Sequence, residues 1–224
     1  MKKKEKISIN SKIIIIILSV LLLISLVINI YLFSIKKNIN LLDENIVFFG
    51  DSITSGYKIE EFYPKNNVIN SGISGNVTND LLERMEDVYK YNPSKVFLLI
   101  GINDLNRGYS AEEILSNIQK IINNIKTHRK YTKIYIESIY PINRNVFEEK
   151  DYSFNEKINN DIIKELNNKI KILCKENKIQ YIDVYNSLLD NDGNLKDIYT
   201  NEGLHLSDLG YFKVTTSLNK YINE

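Results

Sequence analysis

The stretch Ile46-Val-Phe-Phe-Gly-Asp-Ser-Ile-Thr-Ser-Gly56 decides how this chain folds. Four apolar residues in succession, β-branched and aromatic, stop at Gly50, the pattern of a buried strand ending at a tight turn. Ser52 follows just past the strand's C-terminal end, the edge at which open α/β sheets place their chemistry. A serine held there is a candidate nucleophile, provided a base lies elsewhere in the chain. Taken alone, Gly-Asp-Ser reads more simply as an Asp/Ser cap opening a helix after a strand.

Outward from this stretch, strand and helix patterns alternate. Val68-Ile-Asn70 reads as a second strand, running into Ser71-Gly-Ile-Ser-Gly75. Residues 77–89 show helical spacing through Leu81, Leu82, Met85 and Val88, and Pro93 breaks the pattern. Residues 95–100 form the clearest strand, apolar on both faces, ending at Gly101. Ser110-Ala-Glu-Glu113 is a capping box opening a helix with Ile114, Ile118, Ile121 and Ile125 inward. A fourth strand is expected at 133–138, a long helix at 154–176 and a last strand at 180–184. Asn191-Asp-Gly193 reads as a turn, and Ser207 caps a closing helix. This order predicts an α/β fold, a parallel five-stranded sheet between helical layers, over residues 45–224.

The N-terminus is of another kind. Five lysines and one glutamate precede an apolar run at 13–33 interrupted only by Ser19, Ser25 and Asn29. About 20 such residues cross a hydrocarbon core of roughly 30 Å as a helix. Tyr31 sits where an aromatic meets the interface, and Lys36 and Lys37 close the run. A cleaved signal peptide has a shorter apolar core and a small-residue cleavage site, and a buried core helix has a polar face; neither pattern is present. The reading is an uncleaved signal anchor: a basic cytoplasmic tail at 1–12, a transmembrane helix at 13–35 and a linker at 36–44. The lysine excess before the span puts the remainder outside the cell.

Residues 1–37 carry seven Lys and one Glu, which leaves 22 basic against 27 acidic side chains beyond them. A mildly acidic ectodomain argues against nucleic acid as a partner. Cys174 is the single cysteine, so no internal disulfide forms, and its helical setting assigns it to packing.

Three strands end at glycine-bearing loops on the same sheet edge, after Phe49, Asn70 and Ile100, which brings Ser52, Gly75 and Asn103 together. The Ser52 and Gly75 N–H groups and the Asn103 amide make three donors suited to an oxyanion. Asn103 also reads as a plain turn residue in Gly-Ile-Asn-Asp. The base must be one of two histidines. His128 lies among Lys126, Arg129 and Lys130 at a helix end, a solvated position. His205 lies in Thr200-Asn-Glu-Gly-Leu-His-Leu-Ser207, with Glu202 three residues earlier to hold one ring nitrogen while the other faces Ser52.

Gly50-Asp-Ser-Ile53, Gly75, Gly101-Ile-Asn-Asp104 and Glu202-Gly-Leu-His205, in this order, resemble the SGNH (GDSL) hydrolase superfamily. The resemblance runs from about residue 45 to 211. It implies a flavodoxin-like three-layer α/β/α fold and hydrolysis of carboxylic esters with no cofactor and no metal. It assigns Ser52 as nucleophile, His205 as general base, and Ser52, Gly75 and Asn103 to the oxyanion hole. Members usually carry Asp three residues before the histidine; here Glu202 stands there, and Asp208 and Asp183 are the fallback candidates for a third triad member. Tethering outside a membrane suggests a glycan or small-molecule ester as substrate, O-acetyl or short-acyl groups foremost, with lipid esters near the bilayer as the alternative. Arg144, Tyr152 and Phe154, in a loop beyond a strand end, are candidates to line the acyl or alcohol pocket. The rival readings are a membrane-anchored O-acyltransferase using the same serine and a non-catalytic glycan-binding module on the same fold.

Overall fold

The computed structural model describes residues 9–39, 43–150 and 152–224, and it divides into two compact units, 1–41 and 42–224. The first holds one helix, α1 (Ile9–Ile39). Its stretch Ile13–Ile35, at mean hydropathy 3.2, is long and apolar enough to cross a membrane by length and composition. A signal sequence passes the same test. Lys2, Lys3, Lys4 and Lys6 of the expected basic tail lie outside the described residues, as do 40–42 of the expected linker.

The second unit alternates strand and helix as its apolar pattern predicts. β1 (Asp43–Gly50) leads into α2 (Ser52–Ser55) and α3 (Ile59–Phe62). β2 (Val68–Gly72) is followed by α4 (Thr78–Glu83) and α5 (Glu86–Tyr89). β3 (Pro93–Leu99) is followed by α6 (Ile102–Asn106) and α7 (Ala111–His128). β4 (Lys133–Glu137) precedes α8 (Arg144–Glu149) and α9 (Asn160–Asn177). β5 (Gln180–Ile182) and α10 (Asp208–Asn223) complete it. The strands form one parallel sheet in the order β2-β1-β3-β4-β5. The order reverses at β1, so a crevice opens at the C-terminal ends of β1 and β3, where such sheets bind ligands.

Aromatic and aliphatic residues divide the two faces of the sheet. Phe48, Phe97 and Tyr135 are register partners across β1, β3 and β4, and their rings stack at 5.0 and 4.6 Å. Tyr57 stands edge-on to Phe48 and stacks on Tyr211 of α10 at 5.0 Å, so α10 covers this face. Lys95, on the same face by strand alternation, donates to the carbonyls of Tyr221, Ile222 and Glu224 at 2.6–3.0 Å. It thereby satisfies acceptors that the end of a helix leaves open. On the other face Val96 and Leu98 are fully buried, as are Ile114, Ile118, Ile121, Ile122 and Ile125 of α7. Helix α7 also contacts α4 and α9.

Several local expectations shift by a few residues, each for a visible reason. Pro93 opens β3 rather than breaking before it; lacking an N–H, proline is tolerated as a strand's first residue. The helix expected at 154–176 begins at Asn160, because the Asn159 side chain accepts from the Ile162 N–H and caps it there. The single helix expected at 77–89 is two, interrupted at Arg84 (φ −115°, ψ 31°).

Burial leaves a carboxyl at the sheet's heart. Glu137, at the end of β4, is 4% exposed and accepts from the Tyr140 hydroxyl at 2.5 Å. Burial pushes its pKa from 4.5 up to about 7, against the lowering effect of that hydrogen bond. Between these two values the unfolded chain has released a proton that the folded one retains, so stability falls as pH rises through this window. Glu137→Gln is expected to remove that loss, on the order of 3 kcal/mol. Denaturant melts of the detergent-solubilised chain at pH 4.5 and 7.5 measure it; an unchanged pH slope in the variant would refute it.

Candidate active site

Ser52 stands at the β1 tip because Asp51 begins a helix there. The Asp51 Oδ1 accepts from the Ile53 N–H at 3.0 Å, capping α2, so the plain capping reading of Gly-Asp-Ser holds alongside any chemical one. The other carboxyl oxygen of Asp51 is buried and has no hydrogen-bond partner among the described residues. Burial first, and repulsion from Asp104, push this carboxyl up to about 7.

His205 reaches Ser52 from the other end of the domain. Its Nε2 lies 2.8 Å from Ser52 Oγ, and its Nδ1 lies 2.6 Å from Glu202 Oε1. The same Glu202 oxygen accepts from the His205 backbone N–H at 2.7 Å, so the carboxylate grips both the ring and its backbone. A carboxylate only accepts, so Nδ1 carries the proton toward Glu202 and Nε2 is left to accept from the serine hydroxyl. Asp208 instead faces Lys58 at 3.3 Å, and Asp183 accepts from Asn186. Of the three candidate carboxylates, Glu202 is the one bonded to His205.

The loop holding this pair is closed by its own hydrogen bonds. Thr200 Oγ1 donates to the His205 carbonyl at 2.8 Å and accepts from the Gly203 N–H at 2.8 Å. Gly203, at φ +100°, passes so close to α8 that an added Cβ would lie 2.4 Å from the Asn143 carbonyl oxygen. Thr200 was open to discovery from sequence only as one polar residue of a turn.

The donor side is built from loops after β2 and β3. Gly75 takes φ +79°, a conformation that favours glycine, and its carbonyl accepts from Arg107 Nη2 at 2.8 Å. Asn103 donates one amide N–H to the Asn76 carbonyl at 3.0 Å, which leaves its second N–H for a ligand. The Ile73 N–H donates to the Gly50 carbonyl at 3.1 Å, tying the Gly75 loop to the serine turn. Among the described residues no hydrogen bond uses the N–H of Ser52 or Gly75. Behind Asn103, buried Asp104 accepts from the N–H and hydroxyl of Thr78, which locks α6 to α4.

A cleft of about 540 Å³ opens beside Ser52 and His205, lined further by Ser55, Ser74, Asn201 and Tyr211. A second cavity, about 490 Å³, lies against Arg144, Phe147, Tyr152 and Phe154. The Tyr152 ring stands edge-on to His205 at 6.2 Å. Arg144 itself is turned to the carbonyls of Asn155 and Ile158, where it holds the loop. His128 is remote from this chemistry: its ring stacks on Tyr89 at 4.7 Å, and Nδ1 meets the Asn124 carbonyl. Cys174 is buried in α9, its thiol pushed up to about 12 by burial. Among the described residues no cluster of His, Cys, Asp or Glu is arranged to hold a metal.

The profile of the GDSL-like Lipase/Acylhydrolase family matches residues 48–212. The chain belongs to that family. That family is one of lipases and acylhydrolases, and the five-stranded α/β domain has the SGNH fold. A solved structure from Streptococcus pneumonia, described as a platelet activating factor, is 29% identical. It covers 90% of this chain and 98% of its own, at a TM-score of 0.74. A Bacteroides fragilis NCTC 9343 structure described as an acylhydrolase is 26% identical, with coverage of 84% and 93% and a TM-score of 0.71. Among curated proteins, the N-acylneuraminate cytidylyltransferase of Streptococcus agalactiae serotype III is 30% identical over 161 residues. The match takes 72% of this GDSL chain but 34% of that protein, so the chain spans about a third of its length. The human platelet-activating factor acetylhydrolase IB subunit alpha1 is 23% identical over 188 residues, 80% of this chain and 76% of that one.

Proposed function

We propose that this GDSL protein hydrolyses short-acyl esters, acetyl above all, of a glycan or lipid alcohol through an acyl-serine intermediate. The observation that carries the reading is the relay from Glu202 through His205 to Ser52, at 2.6 and 2.8 Å. His205 Nε2 takes the Ser52 proton as Oγ attacks the ester carbonyl. The Ser52 N–H, the Gly75 N–H and the free Asn103 amide N–H stabilise the tetrahedral oxyanion. The imidazolium returns the proton to the departing alkoxide, leaving acyl-serine. Water, deprotonated by His205, then releases the carboxylic acid.

The preference for a short acyl group follows from the cleft. Its wall is mostly polar, with Ser55, Lys58, Ser74, Asn201 and Asp208 set against only Leu206 and Tyr211 as large apolar side chains. Each methylene of a longer chain gains about 0.8 kcal/mol only where apolar surface buries it. An acetyl group also stands in the name of the acetylhydrolase relative. Hydrolysis is favoured over acyl transfer because the His205 side chain remains 32% exposed, open to water. In this reading α1 is an uncleaved anchor, its N-terminus cytoplasmic and the GDSL domain outside.

An ester panel on the full chain in detergent tests the proposal, with 4-nitrophenyl acetate, butyrate and laurate beside acetylated sugars. Turnover is expected to fall steeply from acetate to laurate, and a fluorophosphonate probe is expected to label Ser52. Faster turnover of laurate would overturn the short-acyl assignment; absence of labelling would favour a binding module.

A further inference from the structure

Arg84 does not line the cleft beside Ser52 and His205, yet it is bonded to the loops that bear the oxyanion donors. It sits at the break between α4 and α5, and its side chain is 14% exposed. A guanidinium presents five N–H groups in one plane, and here each has an acceptor. Nε donates to Asn76 Oδ1 at 2.7 Å. Nη1 donates to Ser71 Oγ at 3.2 Å and Asp87 Oδ2 at 3.3 Å. Nη2 donates to the carbonyls of Gly50 at 2.9 Å and Ser71 at 3.0 Å. The Phe49 ring lies 4.5 Å from the guanidinium carbon.

These acceptors are not scattered. Gly50 hands the chain to Asp51 and Ser52; Ser71 is the penultimate residue of β2; Asn76 adjoins Gly75 and accepts the Asn103 amide on its carbonyl. One planar cation therefore spans the segments carrying two donors and, through Asn76, reaches the third. We propose that Arg84 is a positioning residue: it sets the spacing of the Ser52, Gly75 and Asn103 donors around the developing oxyanion, and this rests on the ester-hydrolase reading above. Donors in such a hole must lie within about 2.7–3.1 Å of the oxyanion, and a misplacement near 1 Å costs about 10²-fold. Lysine cannot substitute, because a compact ammonium with three donors does not reproduce the fork.

The test uses the full-length chain in detergent. Arg84→Lys is expected to lower kcat for 4-nitrophenyl acetate about 10²-fold, with KM within about threefold of wild type. Affinity for an arylboronic acid, which forms a tetrahedral anion on the serine, should fall in the same proportion. Added methylguanidinium should recover part of kcat in Arg84→Gly, which a general loss of stability would not allow. A folded Arg84→Lys with wild-type kcat, or with a change in KM alone, overturns the proposal. If that variant does not fold, Asn76→Ala severs the Nε link alone: an approximately tenfold loss of kcat at constant KM supports the clamp, and wild-type kcat overturns it. A wild-type chain inert to every ester and unlabelled by fluorophosphonate overturns the hydrolase reading and the clamp with it, whereas an active wild type with unaffected variants overturns the clamp alone.

Discussion

Ser52→Ala is expected to lower kcat for 4-nitrophenyl acetate by at least about 10⁴-fold, since removing the nucleophile of a serine hydrolase leaves only what the oxyanion donors and substrate binding supply. Stability should barely change. Among the described residues the Ser52 hydroxyl is bonded only to His205, the residue is partly exposed, and alanine retains the backbone N–H that the oxyanion needs. Single-turnover assays with and without fluorophosphonate, beside a thermal melt, separate lost chemistry from lost fold. A variant retaining a tenth of the wild-type rate would remove Ser52 from the nucleophile's role.

The second large effect concerns Glu202, where glutamate stands in a position that aspartate usually holds in SGNH hydrolases. Glu202→Ala frees both the ring nitrogen and the backbone N–H of His205, and a loss of about 10³–10⁴-fold in kcat is expected. Glu202→Gln should behave differently. One carboxylate oxygen, Oε1, accepts from Nδ1 and from the backbone N–H together, so the glutamine carbonyl can occupy the same place. The backbone bond then fixes the amide orientation and preserves the tautomer; what is lost is the negative charge beside the imidazolium. A loss of about 10-fold to 10²-fold is expected, well short of that for a flipped tautomer. Stopped-flow measurement of acylation in both variants decides it: equal losses for Gln and Ala would mean that the backbone bond does not hold the tautomer.

Much of this was legible in the residues. Ile46 to Phe49 and Val96 to Ile100 are apolar on both sides, which only a strand buried between two layers explains. Their glycine endings located the functional edge, and the short spacing from Glu202 to His205 suggested a pair within one turn. Asp51 could be read as cap or as motif, and its side chain does cap α2. The long helices were visible through periodicity, but their starts were not. Asn159 caps α9 after a turn at Asn155 that Asn106 and Arg144 hold in place, and such partners lie outside the local pattern.

Arg84 marks the limit most clearly. In sequence it is one charged residue within an amphipathic run, indistinguishable from a solvated face. Its meaning comes from acceptors at Gly50, Ser71 and Asn76, up to 34 positions away. The sequence by itself determined the alternation of elements and the sheet edge where they end, because periodicity and turn chemistry are local properties of the chain, and the resemblance of its motifs named the candidates for nucleophile, base and donors. Tertiary structure alone decided which carboxylate meets His205, which amide protons stay free and which cation binds the donor loops together. Each of those depends on directional bonds between segments far apart in the chain, and the angle and reach of such bonds exist only once the sheet has brought the segments to one edge.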